Sequence, residues 1–350
     1  MKNKLNIIYV WACDIESYRG EGILGLNFLK HMSTVRKKKI YVESPTKKLI
    51  ITNNKVKNIN EIRSKKINFN FFYNYLFPIY GIFKIYVNSF KYKNICYLNF
   101  LPLWNFIIFL FLPKKTILGP ITGSVYKSKI RDLNSLCRKY IIPILYNISL
   151  LIINKKKKLI FSTSILEKIV KSKKKQYNYF DYNLINFEQG KKIISSKDID
   201  FLFYYRKYSA HGSNYQKKII EKLTKYNFNI YVVGDEIEND KVRNLKIIDR
   251  KELLKYLKRT KFTINEATNF YSIFCLDAIS SGVKVFYDKK IKPSKFYFDK
   301  KYFTSINLEN TKSTIPKIIK EFTKYKKLKY VKFDRLKFRK IYQNYFDENK

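Results

Sequence analysis

The chain has 350 residues, of which 46% are hydrophobic and 17% aromatic, and it carries a formal net charge of +45. This apolar content excludes intrinsic disorder for the body of the chain, and the length predicts two domains of ~100 to 200 residues each. The charge would attract polyanions such as nucleic acid. The sequence shows neither zinc-finger spacing nor the aromatic and basic pattern of a single-strand-binding module, so no motif supports a nucleic-acid partner and only the basic composition favours one.

The first part of the chain alternates strand and helix patterns, which is typical of an α/β domain. A glycine-bearing loop follows the first predicted strand. A capping pattern, Ser164 with Glu167, follows a later strand and predicts a helix through Val170. The predicted elements are strand Leu5–Trp11, helix Ile23–Met32, and strands Ile40–Val42, Ile95–Leu98, Thr116–Leu118 and Lys158–Ser162.

Two apolar stretches, Phe100–Pro113 and Tyr140–Ile153, are shorter than the ~20 residues of a spanning helix, and each contains a proline. We therefore expect no transmembrane segment. The second stretch precedes the basic run Lys155–Lys158 and predicts a core helix or, alternatively, a helix lying against lipid headgroups. Lysine runs of this kind predict a cationic surface that contacts an anionic membrane.

Cysteine usage and the N-terminus both bear on the location of the protein. Cys13, Cys96, Cys137 and Cys275 are far apart and form no CxxC pair, so they indicate no disulfide framework and no structural zinc. The apolar run at the N-terminus is short for a secretory signal and ends in a bulky Trp11, which favours a first buried strand. We expect a cytoplasmic protein, peripheral on the inner face of the cell membrane.

A polar segment, Lys191–Asp200, precedes a fresh strand and predicts the domain boundary. We expect an N-terminal domain over residues 1–195 and a C-terminal domain over residues 196–350, whose basic, aromatic tail would pack back on the first domain. The elements predicted in the second domain are strands Phe201–Tyr205, Ile230–Val233, Leu245–Ile248, Phe262–Asn265 and Lys284–Tyr287, with helices Tyr215–Tyr226, Lys251–Lys258, Ile273–Ser280 and Ile315–Tyr325.

Open α/β domains bind ligands at the carboxyl ends of their strands, so we expect the site in the cleft between the two domains. Gly20 and Gly22, between the first strand and the first helix, would let the backbone approach a phosphate, although a turn without a ligand explains them equally well. Arg206 and Lys207 directly follow a strand and precede His211. Cations at a strand end suit a diphosphate, and a solvated basic loop is the alternative in so lysine-rich a chain.

Further polar side chains surround the third helix of the second domain. Glu266, Asn269 and Asp277 would pair with sugar hydroxyls, with helix capping or a surface position as the alternative for each. Asp198 and Asp200 form a DxD pair, which in metal-dependent sugar transferases holds a divalent cation at the end of a strand. Because this pair precedes a strand, we interpret it as part of an exposed linker and predict no metal.

The second domain resembles the C-terminal half of retaining glycosyltransferases of the GT-B fold, especially the family 4-like group (glycosyl transferases group 1). That family carries a strand ending in Gly-Arg and then a Lys-Gly pair, and Arg206 with His211-Gly212 fall on those positions, histidine replacing the lysine. The family's Val-Gly-Asp strand end is similar to the sequence at Gly234 and Asp235.

The acidic Glu-x7-Glu motif of that family falls on Asn269 and Asp277, so both glutamates are changed. Asp277 keeps the acceptors for a nucleotide ribose, whereas Asn269 lacks the charge, and Glu266 is a candidate for the missing sugar-facing role. In the first domain, the loop with Gly20 and Gly22 is similar to the family's glycine-rich loop. The resemblance implies two Rossmann-like α/β domains facing each other across a cleft.

The resemblance also implies a function. A hexosyltransferase-type enzyme would move a sugar from a nucleotide-diphosphate donor to a cell-envelope glycan or lipid-linked acceptor, with retention of configuration and without a metal or other cofactor. Arg206, Glu266 and His211 would be catalytic, and Gly20, Gly22, Lys207, Gly234, Asn269 and Asp277 would bind the donor. The alternatives are a GT-B nucleotide-sugar epimerase, disfavoured by the few histidines and carboxylates of the first domain, and a non-catalytic basic protein that binds anionic lipid or nucleic acid.

Overall fold

A computed structural model of the chain contains two compact α/β units. Described residues up to 184 belong to the first unit, and those from Phe187 onward belong to the second. The residues that the structure describes are 5–12, 15, 20–36, 38–45, 47–61, 76–122, 133–153, 158–163, 166, 181, 183–184, 187, 196–207, 213–265, 269–293, 296–328 and 333.

Within these ranges, the first unit contains a seven-stranded sheet in the order β4-β3-β2-β1-β5-β6-β7. Five neighbouring strands, β2, β1, β5, β6 and β7, run parallel to one another. Strands β3 and β4 form an antiparallel hairpin beside β2. Its elements are β1 (Leu5–Trp11), α1 (Gly20–Arg36), β2 (Ile40–Glu43), β3 (Lys47–Thr52), β4 (Lys55–Glu61), α2 (Phe77–Ser89), β5 (Tyr92–Pro102), α3 (Phe106–Phe111), β6 (Ile117–Thr122), α4 (Leu133–Ile153) and β7 (Lys158–Phe161).

Helices α2, α3 and α4 share one apolar core with the central strands of this sheet. Ile85 of α2, Phe109 of α3 and Tyr146 of α4 belong to the same buried cluster as Trp11 and Tyr97 of the strands. Each such side chain stabilises the fold by about 1.5–3 kcal/mol when it leaves water. The predicted helix at the second apolar stretch is therefore part of the core on one side, and none of the described helices is long and apolar enough to span a membrane.

The contact between Trp11 and Gly81 provides a test of this packing. A Cβ at Gly81 would lie 2.1 Å from Nε1 of the fully buried Trp11. We therefore expect Gly81→Ala to lower the free energy of unfolding by about 1–3 kcal/mol, since overpacking forces the rigid indole to move. Urea unfolding measures the effect. Gly25→Ala is the control: its Cβ would meet Ile15 at 3.7 Å, an ordinary contact, so equal losses in both variants would contradict the prediction.

The second unit contains, in its described part, a six-stranded parallel sheet in the order β10-β9-β8-β11-β12-β13. Phenylalanines dominate its core, with Phe201 stacked on Phe203 and on Phe262. Its elements are β8 (Ile199–Tyr205), α5 (Ser213–Leu223), β9 (Ile230–Gly234), β10 (Val242–Asn244), α6 (Arg250–Arg259), β11 (Thr260–Ile264), α7 (Ile273–Ser280), β12 (Lys284–Asp288), β13 (Phe303–Ile306) and α8 (Thr311–Thr323).

The α/β prediction with two Rossmann-like sheets is confirmed, but one predicted strand is wrong. The structure places β10 just before the predicted Leu245–Ile248. Lys246 has a positive φ of 57°, which interrupts an extended strand, and Ile247 is 87% exposed. The predicted helix through Val170 and the basic tail lie outside the described residues.

Candidate functional site

The C-terminal edge of the second sheet is where open α/β folds hold their ligands. Strand β8 is followed in sequence by its neighbour on one side, β9, whereas β11 lies on its other side. The connections leaving β8 and β11 therefore diverge and open a crevice between the two strand ends. Arg206 and Lys207 follow β8, and Asn265 follows β11, so a guanidinium, an ammonium and an amide lie at this crevice.

Arg206 is held against an aromatic stack that connects β8 to α7. Its guanidinium carbon lies 4.8 Å from the centroid of the Tyr204 ring, and its Nη2 donates to the Tyr204 hydroxyl. The same ring stacks on Phe274, in the first turn of α7, with 5.4 Å between centroids. The stack brings an exposed cation close to a helix N-terminus, and both features attract an anion.

The backbone after β8 is fixed by the end of β9. Gly234 has a φ of 106°, and a Cβ there would lie 2.2 Å from the carbonyl oxygen of Tyr205, so the close approach requires glycine. The Asp235 N–H donates to that carbonyl at 3.0 Å, and Asp235 Oδ2 accepts from the Lys207 N–H at 2.6 Å. The Asp235 carboxylate thus positions the segment that carries Arg206.

Asn265 organises the loop before α7. Its side chain is buried, donates to the carbonyls of Asn269 (3.0 Å) and Phe270 (2.7 Å), and accepts from the Ser272 hydroxyl at 2.7 Å. Ser272 Oγ in turn accepts from the Cys275 N–H at 3.1 Å, which caps the helix and contributes about 1 kcal/mol. These bonds fix the described part of the loop, residues 269–272, at the start of α7, as a binding site there would require.

Asp277, in the second turn of α7, forms a bidentate ion pair with Arg250, the first residue of α6. Arg250 Nε donates to Oδ2 at 2.9 Å and Nη2 donates to Oδ1 at 2.7 Å. The Asp277 side chain is 8% exposed, whereas that of Arg250 is 55% exposed. Because a carboxylate offers about four lone-pair positions, Arg250 leaves two of them unused.

Two other groups near this edge have pKa values shifted by burial. Burial raises the pKa of the Cys275 thiol, so the thiol stays protonated and is a poor nucleophile. Burial also raises the pKa of Asp288, which ends β12 and accepts from the Lys290 N–H at 2.9 Å. Burial therefore disfavours the charged form of both groups.

The DxD pair lies at the other edge of the sheet. Asp198 Oδ1 accepts from Arg259 Nε at 2.9 Å, and Asp200 Oδ1 accepts from Lys261 Nζ at 2.7 Å, with both partners next to the start of β11. Asp200 lies inside β8, not in a linker as predicted. No group of three metal-ligating side chains occurs among the described residues.

The remaining predicted site residues have different outcomes. Gly20 and Gly22 lie inside the first turn of α1, because the helix begins at Gly20 rather than after the loop as predicted. Asn269 lies in the segment before α7, where its Oδ1 accepts from the Tyr271 N–H at 3.1 Å. His211 and Glu266 lie outside the described residues.

Sequence reasoning missed Arg250 and Asn265. For Arg250 a signal was present, since Asp249 and Glu252 form a helix-start pattern, and the Asp249 side chain accepts from the Glu252 N–H at 2.8 Å. Asn265 was assigned to a strand, although a polar residue directly after an apolar run is the usual start of a ligand loop in such folds.

The chain is similar to known proteins in its fold, not in its sequence. No protein-family model and no curated protein matches the sequence. Among solved structures, the chain is similar to sucrose-phosphate synthase from Thermosynechococcus elongatus, with 10% identity, a TM-score of 0.53, and coverage of 98% of this chain and 95% of that chain. At this identity the likeness shows the fold alone, and it confirms the predicted GT-B fold.

Two further solved structures match the chain with lower TM-scores. UDP-GlcNAc 2-epimerase from Methanocaldococcus jannaschii, in complex with UDP-GlcNAc and UDP, is 9% identical with a TM-score of 0.48, and covers 98% of this chain and 100% of that chain. WaaG, a glycosyltransferase involved in lipopolysaccharide biosynthesis, is 10% identical with a TM-score of 0.44, and covers 98% of this chain and 95% of that chain.

Proposed function

We propose that the chain is a glycosyltransferase that moves a sugar from a nucleotide-diphosphate sugar to a cell-envelope glycan or lipid-linked acceptor. The observation that carries the proposal is the position of Arg206, stacked on Tyr204 beside the first turn of α7, at the C-terminal edge of a parallel sheet. A GT-B fold and the sequence resemblance to family 4-like enzymes support the same assignment.

The proposed chemistry is electrostatic. Cleavage of the sugar–phosphate bond leaves negative charge on the departing nucleoside diphosphate, and a fixed guanidinium lowers the energy of that charge without a metal. Arg206 would contact the diphosphate, with help from Lys207 and His211. The start of α7 would add its partial positive charge on the same side of the phosphates.

The donor's other parts would be held by neighbouring groups. Asp277 would accept hydrogen bonds from the ribose hydroxyls through the lone pairs that Arg250 leaves open. Glu266 and Asn269 would orient the sugar. Retention of configuration and the nature of the acceptor belong to the proposal through the sequence resemblance.

A nucleotide screen tests the proposal. We expect one nucleoside diphosphate among UDP, GDP, ADP and CDP to raise the Tm of the purified chain by roughly 5 °C at a hundredfold excess over its Kd. Differential scanning fluorimetry measures the shift, with CMP and inorganic pyrophosphate as controls. Equal shifts with every polyanion that vanish at high salt would instead indicate a basic surface without a nucleotide site.

A further inference from the structure

The outer surface of the first unit carries large apolar side chains on three neighbouring helices. In α2, Ile79, Phe83 and Val87 are each at least half exposed and follow one another at four-residue spacing, which puts them on one side of the helix. In α3, Ile107 and Leu110 are likewise half exposed. Single exposed apolar residues need no explanation, but aligned rows on adjacent helices do.

Helix α4 continues the same surface. Tyr140, Ile144 and Ile148 are exposed at four-residue spacing, and Leu151, one turn further along, is 69% exposed. Helix α3 packs against both α2 and α4, and all three bury their opposite sides in one core. Their outer sides therefore form one contiguous layer, which we call the α2–α3–α4 face.

The sequence that forms this face is mainly positive in charge. Between Glu61 and Glu167 the sequence contains one acidic residue, Asp132. The turns that follow α2 and α3 carry exposed lysines, and because β5 and β6 are parallel neighbours, these turns lie at the same edge of the sheet. The lysines in these turns are Lys91, Lys114 and Lys115, and the exposed Lys93 follows at the start of β5.

We infer that the α2–α3–α4 face docks on a membrane surface that contains anionic lipid. Apolar side chains on interfacial helices enter the headgroup and acyl boundary, and flanking lysines gain energy from the negative surface potential. A second copy of the chain fits less well, because an isologous contact would bring two lysine edges together without acidic partners. The inference does not depend on the activity proposed above.

Vesicle co-sedimentation tests this inference with three apolar residues replaced. We expect the variant Phe83→Gln/Ile107→Gln/Ile144→Gln to bind vesicles of phosphatidylcholine and phosphatidylglycerol about tenfold or more weakly than wild type. The matched control is Val56→Gln/Ile59→Gln/Ile247→Gln, which changes three exposed apolar residues on β4 and in the second unit and should bind as wild type.

A second set of variants tests the contribution of the lysines to vesicle binding. Lys91→Gln/Lys114→Gln should weaken binding to the anionic vesicles roughly tenfold. Lys312→Gln/Lys317→Gln, on exposed positions of α8, should leave it unchanged. Neither double variant removes a buried side chain, and thermal unfolding checks that each keeps the wild-type Tm.

A tryptophan provides an independent readout of the same contact. Trp104, just before α3, is 40% exposed, whereas Trp11 is fully buried, and the sequence has two tryptophans. Brominated lipid in the anionic vesicles should quench the fluorescence of wild type but not of Trp104→Phe.

Three results would overturn the inference: no binding of wild type to the anionic vesicles, wild-type binding by the apolar variant, or equal losses in the matched control. A wild-type dimer that the apolar variant converts to a monomer, with vesicle binding unchanged, would assign the face to self-association instead.

Discussion

Replacing Arg206 with alanine is expected to lower kcat/KM of the proposed transferase by ~10² to 10³, the usual cost of losing one donor that stabilises developing charge. The fold should be unaffected to within about 0.5 kcal/mol, because Arg206 is exposed and its partner Tyr204 keeps its stack on Phe274. The thermal screen identifies the nucleoside diphosphate that binds. The rate at which this nucleoside diphosphate is released from its nucleotide sugars then measures turnover.

Arg243 offers a matched control for this prediction. Its guanidinium lies 5.4 Å from the centroid of the Tyr231 ring and donates to the Tyr231 hydroxyl at 2.7 Å, so it repeats the stacked pair on edge strand β10. Arg243→Ala should leave turnover unchanged. Equal losses in the two variants would mean that Arg206 acts only as surface charge, and Arg206→Lys should recover little activity because a single ammonium lacks the guanidinium fork.

The sequence located the end of β8 because buried parallel strands are nearly continuous apolar runs that stop at polar residues. Phe201–Tyr205 has this pattern, and Arg206 marks its end. The same reasoning failed at Leu245–Ile248, where apolar residues lie in an irregular segment after the end of β10. Lys246 has a positive φ there, and Ile247 points to solvent, so hydrophobicity alone did not identify a strand.

The hairpin β3–β4 was not predicted, although its turn carries a recognisable signal. Asn53 and Asn54 have φ values of 46° and 68°, and two positive φ angles in succession are typical of the tight turns that asparagine tolerates. The pair stands between Ile51 and Val56, which pair across the two strands. Turn chemistry, more than apolar content, would have located this element.

The candidate site was only partly predictable because its contacts join residues distant in sequence. Asp277 could be selected from its place in a helix near a strand end, but its partner Arg250 is brought to it by the packing of α6 against α7. Likewise, the stack of Arg206, Tyr204 and Phe274 depends on the order of β8 and β11 in the sheet. Periodicity predicts elements, whereas these pairs follow from topology.

Replacing Asp277 with alanine is expected to weaken binding of the nucleoside diphosphate by ~10- to 100-fold, since each tenfold corresponds to about 1.4 kcal/mol and a charged hydrogen-bond acceptor contributes about 1.5–3 kcal/mol. Isothermal titration calorimetry measures the loss. The matched control is Asp198→Ala, which breaks a comparable pair with Arg259 at the opposite edge of the same sheet and should leave affinity unchanged.

An Arg250→Ala variant distinguishes two possible roles of Asp277: direct contact with the ribose, or positioning of the Arg250 guanidinium. If the ribose is its ligand, Asp277→Ala should still weaken binding in an Arg250→Ala background, because the two open lone pairs of the carboxylate do not depend on Arg250. The preference of wild type for the ribonucleotide over its 2′,3′-dideoxy analogue should also disappear in Asp277→Ala and persist in Arg250→Ala. A double variant no weaker than Arg250→Ala, with the sugar preference intact, would make Asp277 a positioning residue for Arg250 and move the ribose contact elsewhere at this sheet edge.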